Sequence, residues 1–280
     1  MNSLRSSRPL LGTVPAIAVF LIACGPQPPQ PGTPAFKWNA ARDACKGGDY
    51  GKANVLLAQV AGGKSEFASQ AGPLALLTSV GMANAYWEIA QKYDEGVKNR
   101  GASPGPFRKL NTNYKTMAST VGLQYLELAH NFLDANKDTK EFTIVFGLPE
   151  ATFDDPPQYQ KITAGQGLSE ADLFVMEKAV VKREVMRSIC EALGAPKDPA
   201  KAKAAFQNGE AKVPGPAFLL AVAKGSWDMA ELFGAKKLNR LERAIMLYDE
   251  AVRPLAALGD NKDAKDLAKQ IADARKKAKL

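Results

Sequence analysis

Hydrophobic positions recur at three- and four-residue spacing along nearly the whole chain beyond residue 35, the period of a helix with one buried face. Residues 36–45 and 52–60 read as a first helix pair around Lys46-Gly47-Gly48-Asp49-Tyr50, with Asp49 placed to cap the second helix. Residues 73–93 form the next helix, apolar almost all round from Leu74 to Ala90, and such a helix belongs in a core. Ser79, Gly81, Ala83 and Ala85 keep it thin enough for close neighbours. Further helices are expected over 111–133, 169–193, 217–233, 238–258 and 263–277, with a short one opening at Asp198-Pro199. Pro254 kinks or ends the helix it falls in. The period fails between residues 136 and 168, a loop-rich insert. There residues 142–146 read as a short strand or an apolar plug, and Asp154-Asp155-Pro156-Pro157 and Gly165-Gln166-Gly167 read as loop. Pro214-Gly215-Pro216 closes the region before the next apolar helix.

The expected fold is therefore all-α, built of antiparallel helix pairs. The turn Gly48-Asp49-Tyr50-Gly51-Lys52-Ala53, followed by Leu56-Leu57, resembles the turn and second helix of a tetratricopeptide repeat. Residues 259–268 and 241–251 echo it. No exact 34-residue period runs through the chain, so a tetratricopeptide-like solenoid and an irregular helical bundle both remain open. A membrane span over 74–90 is opposed by Asn84 and Glu88.

The first residues have another character. Arg5 and Arg8 precede an apolar run from Leu10 to Ile22 that ends in Leu21-Ile22-Ala23-Cys24. This order resembles the signal peptide and lipobox of bacterial lipoproteins. The resemblance implies cleavage after residue 23 and acylation of the Cys24 thiol. An ordinary signal peptide with a chance cysteine is the plainer alternative. Five prolines in Gly25–Pro34 favour extended polyproline II, about 3.1 Å per residue, enough to hold a folded part about 30 Å from a bilayer. The chain thus divides into a signal peptide (1–23), a proline-rich tether (24–35) and a helical domain (36–280). Gly25 in place of aspartate after the cysteine implies, by the same resemblance, the outer membrane.

Composition narrows the function. With 46% apolar and 24% charged residues the 280-residue chain is ordinary globular protein. One histidine and 3 cysteines exclude a histidine-rich zinc site and a disulfide scaffold. The net charge of +8 is dispersed, without an aromatic-interleaved basic stripe, so nucleic acid is not an expected partner. Arg275-Lys276-Lys277-Ala278-Lys279 reads as a solvated helix end or a contact for anionic headgroups. An exported compartment permits a Cys45–Cys190 disulfide, and two free thiols are the alternative.

Each candidate for chemistry has a plainer reading. Ala58–Ser65, AQVAGGKS, ends like a phosphate-binding loop but lacks its first glycine and a preceding strand, so the glycines read as a helix stop. Asp134-Ala135-Asn136-Lys137-Asp138 begins like a calcium loop, yet Thr139 and Val145 stand where glycine and glutamate are needed. Glu150, Asp154 and Asp155 are a cation or acid–base cluster, or solvated loop residues. His130 lies near a helix C-terminus, suited to meeting its dipole. Asn84, Glu88 and the nearby Trp87 are the candidate ligand-pocket residues, since a polar pair on a buried helix lines a pocket or bonds a neighbouring helix. No catalytic residue, metal ligand or cofactor is expected.

Two functions follow. The first is a non-catalytic, membrane-anchored interaction scaffold of the bacterial envelope, bound to other envelope proteins and to the membrane through Cys24. The second is a ligand-binding accessory of a periplasmic transport system, because the lipobox and helix layout resemble helical lipoproteins associated with tripartite periplasmic transporters. A closed apolar pocket favours the second and an open groove with exposed aromatics the first.

Overall fold

The structure, a computed structural model, describes residues 29–99 and 104–277. The expected signal peptide, Cys24 and residues up to 28 lie outside the described residues, as do Ala278 to Leu280. Ten helices are described: α1 (Pro34–Gly47), α2 (Tyr50–Ala61), α3 (Ala68–Asn99), α4 (Gly105–Asn136), α5 (Gln158–Thr163), α6 (Glu170–Ala192), α7 (Pro199–Ala204), α8 (Gly215–Phe233), α9 (Leu241–Ala256) and α10 (Lys262–Lys277). Two short strands, β1 (Glu141–Ile144) and β2 (Ala211–Pro214), complete the set. The class is all-α.

Local chemistry sets the helix ends. Thr33, Asp49, Ser169 and Asp198 accept N–H bonds from Phe36, Lys52, Asp172 and Lys201, so four helices start on side-chain caps. The Asn261 amide oxygen does the same for Ala264 at the start of α10. α1 stops at Gly48, whose φ of 69° is left-handed and natural to glycine. α2 stops at Gly62, the first glycine of the phosphate-loop look-alike.

α3 is the axis of the molecule. Residues 71–83 are buried without a break, the burial expected of its all-round apolar sequence. It packs against α2, α4, α5, α6, α8 and β1. Contacts from α3 skip along the chain to α6 and α8, the pattern of a bundle around a central helix rather than of a stack touching only nearest neighbours. Gly81 is where α6 comes closest: a Cβ there would lie 2.5 Å from the Val185 Cα. Between α3 and α4 the rings of Tyr86, Tyr114 and Tyr93 stack in series, and Phe107 meets Tyr93 edge-on. Several buried polar groups are paired across helices, Ser79 with Asn54 and Tyr125 with the Val222 carbonyl and Ser226. Among the described residues no helix is long and apolar enough to cross a membrane.

Some boundaries differ from the sequence expectation. α3 begins five residues before Pro73, which lies inside it, and α4 extends six residues earlier than residue 111. Residues 142–146 do contain a strand, β1, and it pairs antiparallel with β2, which the helical reading missed; Phe142 faces Val213 and Ile144 faces Ala211. Asn208 and Gly209, both at positive φ, make the tight turn leading into β2. Pro214-Gly215-Pro216 does not only end a region: it joins β2 directly to α8. Gly215 is needed there, because a Cβ would lie 2.2 Å from the Thr139 carbonyl oxygen.

Cys45 and Cys190 are free thiols. Cys45 packs on the main core, whereas Cys190 belongs to a separate small cluster with Met186, Ala195 and Ala202. Burial pushes both thiols up, to about 12 and about 11, so neither is a ready nucleophile.

Candidate functional site

Four helices each turn one face toward a shared cavity of about 540 Å3. α3 supplies Leu77, Val80 and Asn84; α6 supplies Glu184, Arg187, Ser188 and Glu191. α8 supplies Ala221, Lys224, Gly225, Trp227 and Asp228; α10 supplies Asp263, Asp266, Leu267 and Gln270. The spacing on every wall is three or four residues, so one helical face suffices from each. A second cavity of about 580 Å3 adjoins it, sharing Trp227 and Gln270, between α8, α9 and α10.

The wall formed by α6 is held from behind by Arg183, which is buried. Its Nε donates to Glu184 (2.9 Å), Nη2 to Glu88 of α3, and Nη1 to the Asp155 carboxylate (2.9 Å) and the Asp154 carbonyl (3.2 Å). One guanidinium thus ties α3, α6 and the irregular insert together through the geometry that only arginine offers. Burial opposes its charge, but Glu88 and Glu184 outweigh that and hold its pKa above the ordinary value. Glu184, also buried, takes a second bond from Arg187 at 2.9 Å. Burial raises its pKa, while Arg187 and Arg183 oppose the rise.

The expected pocket residues separate. Asn84 lines the cavity. Glu88, one turn on, is committed to Arg183 instead. Trp87 faces elsewhere, with the ammonium groups of Lys115 and Lys237 at 5.8 and 5.9 Å from its ring. In the insert, Asp155 and the Asp154 carbonyl serve Arg183, and Glu150 lies on a different small cavity. Asp134 pairs with Arg253, and Asn136 bonds back to the Phe132 carbonyl, as a polar helix end does. His130 meets Glu250 of α9 at 2.8 Å.

The sequence reading missed Arg183, Glu184, Arg187, Glu191, Lys224 and Asp228. A signal was present. Lys224 and Asp228 interrupt the apolar run of α8 one turn apart, and Glu184, Arg187 and Glu191 share one face of α6.

Asp228 is a second perturbed group of the cavity, beside Glu184. It lines the cavity at an exposed position of α8. Desolvation is the main cause of a pKa pushed up to about 6. Lys237 and Lys224 oppose the rise, and Glu191 and Glu231 add to it. The arrangement combines aliphatic side chains, the Trp227 side chain and charged groups, the elements of a small-molecule site. No family profile matches the chain, and neither the curated proteins nor the solved structures give a significant match.

Proposed function

We propose that this chain is a lipid-anchored, non-catalytic ligand-binding protein of the bacterial envelope, an accessory to a periplasmic transport system. The observation that carries the reading is the cavity between four helices, open to solvent and lined by charged as well as apolar groups rather than closed and apolar, whose volume of about 540 Å3 lies within the roughly 300–1,000 Å3 usual for small-molecule sites. Its wall is stiffened by the Arg183 network, which limits the ordering cost of binding. The lipobox order around Cys24 supports the anchor, and the proline-rich tether supports a binding domain held off the bilayer. The test is a thermal-shift screen of small metabolites on the full chain in detergent, beside Ala221→Phe, which places a ring in the cavity. Compounds that raise the melting temperature of the parent and not of the variant support the proposal. Compounds that act equally on both, or none that act, refute it.

A second reading, the protein-interaction scaffold, is favoured by one surface. Phe174 and Val175 on α6 are 68% and 56% exposed. Phe174 borders a groove of about 280 Å3 whose lining includes Tyr50, Tyr86 and Val181. Exposed apolar side chains beside a groove mark protein contacts. A photo-crosslinking residue at position 174 that captures one defined envelope protein would put this reading first.

A further inference from the structure

The groove beside Phe174 shares no residue with the α3–α6–α8–α10 cavity. It lies where the turn between α1 and α2 meets α3 and α6, and Tyr86 of α3 lines it. Only 6% of Tyr86 is exposed, and its hydroxyl has no hydrogen-bond partner among the described residues. The charges that act on this hydroxyl are Glu177 and Asp49, both of them on the groove, so it is aimed into that space. Burial and these two charges push its pKa up to about 12, and it keeps its proton for donation. A buried polar group without a protein partner is rare, and one that opens on a groove is there to meet a molecule from outside.

The groups around the hydroxyl are held in place and still have bonding capacity. Asp49 accepts the Lys52 N–H at 3.0 Å through Oδ1, and Glu177 accepts the Tyr114 hydroxyl at 2.9 Å through Oε2. Each carboxylate thus keeps its second oxygen open. Lys178 has no ion-pair partner among the described residues. Its stem crosses Gly48, where a Cβ would lie 3.1 Å from the Lys178 Cε. Phe174, Glu177 and Lys178 share one face of α6 by their spacing, which sets the exposed ring beside the polar groups. This set selects by sign and shape. An organic anion meets two carboxylates, and an organic cation meets Lys178 and leaves the Tyr86 proton unused. Among the described residues no group of three or more Asp, Glu, His or Cys stands close enough to hold a metal ion. An extended peptide offers its polar groups in a row, whereas these converge on one point of a groove of only about 280 Å3. A neutral ring bearing several hydroxyls uses every feature. Its hydroxyls accept from Tyr86 and Lys178 and donate to Asp49 and Glu177, and its C–H bonds lie against the negative face of the Phe174 ring.

We infer that this groove is a sugar-binding site, holding one pyranose ring with its C–H face on Phe174 and its hydroxyls on Tyr86, Asp49, Glu177 and Lys178. The site is separate from the larger cavity and does not rest on the transport reading. Hydroxyl bonds to a carboxylate or an ammonium group are charge-assisted, the stronger kind, and three of the four contacts are of that kind. A free sugar and the end of a glycan present the same ring.

Saturation-transfer NMR on the full chain tests it, in a polyoxyethylene detergent that carries no sugar. The probes are the methyl pyranosides of glucose, galactose, mannose and N-acetylglucosamine, the disaccharides cellobiose and diacetylchitobiose, and choline and acetate as ionic controls. At least one pyranoside binds the parent, and choline and acetate do not. Tyr86→Phe removes only the hydroxyl, and Phe174→Ala only the exposed ring. Each weakens sugar binding about tenfold. Each leaves the melting temperature unchanged, because the hydroxyl is unbonded and the ring is exposed, so lost binding is not lost folding. Ala221→Phe, in the larger cavity, leaves sugar binding as it is. A disaccharide that binds about tenfold tighter than its monosaccharide supports a glycan end, and equal affinities support a free sugar. Sugar binding equal in the parent, Tyr86→Phe and Phe174→Ala overturns the inference, as does sugar binding that Ala221→Phe abolishes. Choline binding lost in Glu177→Gln, or acetate binding lost in Lys178→Ala, rejects a sugar in favour of an ion. If no pyranoside binds, the inference fails.

Discussion

The close approach of α3 and α6 is the contact on which the cavity wall depends, and Gly81→Ala probes it directly. A Cβ at position 81 would lie 2.5 Å from the Val185 Cα, 2.6 Å from its nitrogen and 2.8 Å from the Glu184 carbonyl carbon. Carbon atoms rest about 3.5–4.0 Å apart, so the helices must separate by about 1 Å. The obstacle is backbone, and no rotamer change relieves it. Overpacking of a core costs about 1–3 kcal/mol, and a backbone obstacle belongs at the upper end. Alanine returns about 1 kcal/mol through its better helix propensity, leaving a net loss of about 2 kcal/mol. At about 2–4 °C per kcal/mol for a chain of this size, the melting temperature falls by about 4–8 °C. The assay is thermal melting by far-UV circular dichroism, with Gly105→Ala as the reference. Nothing lies within 4 Å of a Cβ at position 105, so that variant melts at or slightly above the parent. If Gly81→Ala melts level with the parent, the α3–α6 packing described here is wrong, and the cavity between them with it.

Three other outcomes are expected. Arg183→Met leaves Glu88 without a cation and Glu184 with Arg187 alone and costs about 3–5 kcal/mol in urea unfolding, and Arg183→Lys recovers little because one ammonium nitrogen cannot reach the spread partners that three guanidinium nitrogens meet; a lysine variant as stable as the parent would refute the network. Asp228 has a folded pKa of about 6, above the unfolded carboxylate, so its charging penalises the fold as pH rises from about 4 through about 6 and the penalty stays in full above that. Asp228→Asn therefore gains stability relative to the parent at pH 7.5 but not at pH 4, and melts at the two pH values check the sign. Cys24→Ala abolishes labelling by a fatty-acid probe, and labelling that survives the change defeats the lipid anchor.

The helical class and most helix positions were legible in the sequence because both are local properties. A three-to-four spacing of apolar residues needs a buried face wherever the partner lies, and Asp49, Ser169 and Asp198 cap helices with bonds made three residues away. Burial of α3 was legible for the same reason, since a helix apolar on every side has no face to offer water. The tight turn at Asn208-Gly209 was written locally too, in an Asn-Gly pair, and was overlooked beside the stronger helical pattern.

The cavity was decided only by tertiary structure. Asn84 and Glu88 sit one turn apart on α3, yet one faces the cavity and the other is drawn away by Arg183, a residue 95 positions along the chain. Asp155, read as a loop carboxylate, is the third arm of the same guanidinium. The cavity's carboxylates come from three helices separated by long stretches of chain, and each alone looks like an ordinary solvated charge. Periodicity states which face of a helix is wet or dry. Only packing states which wet faces look at one another across a shared cavity, because that depends on where distant helices come to rest.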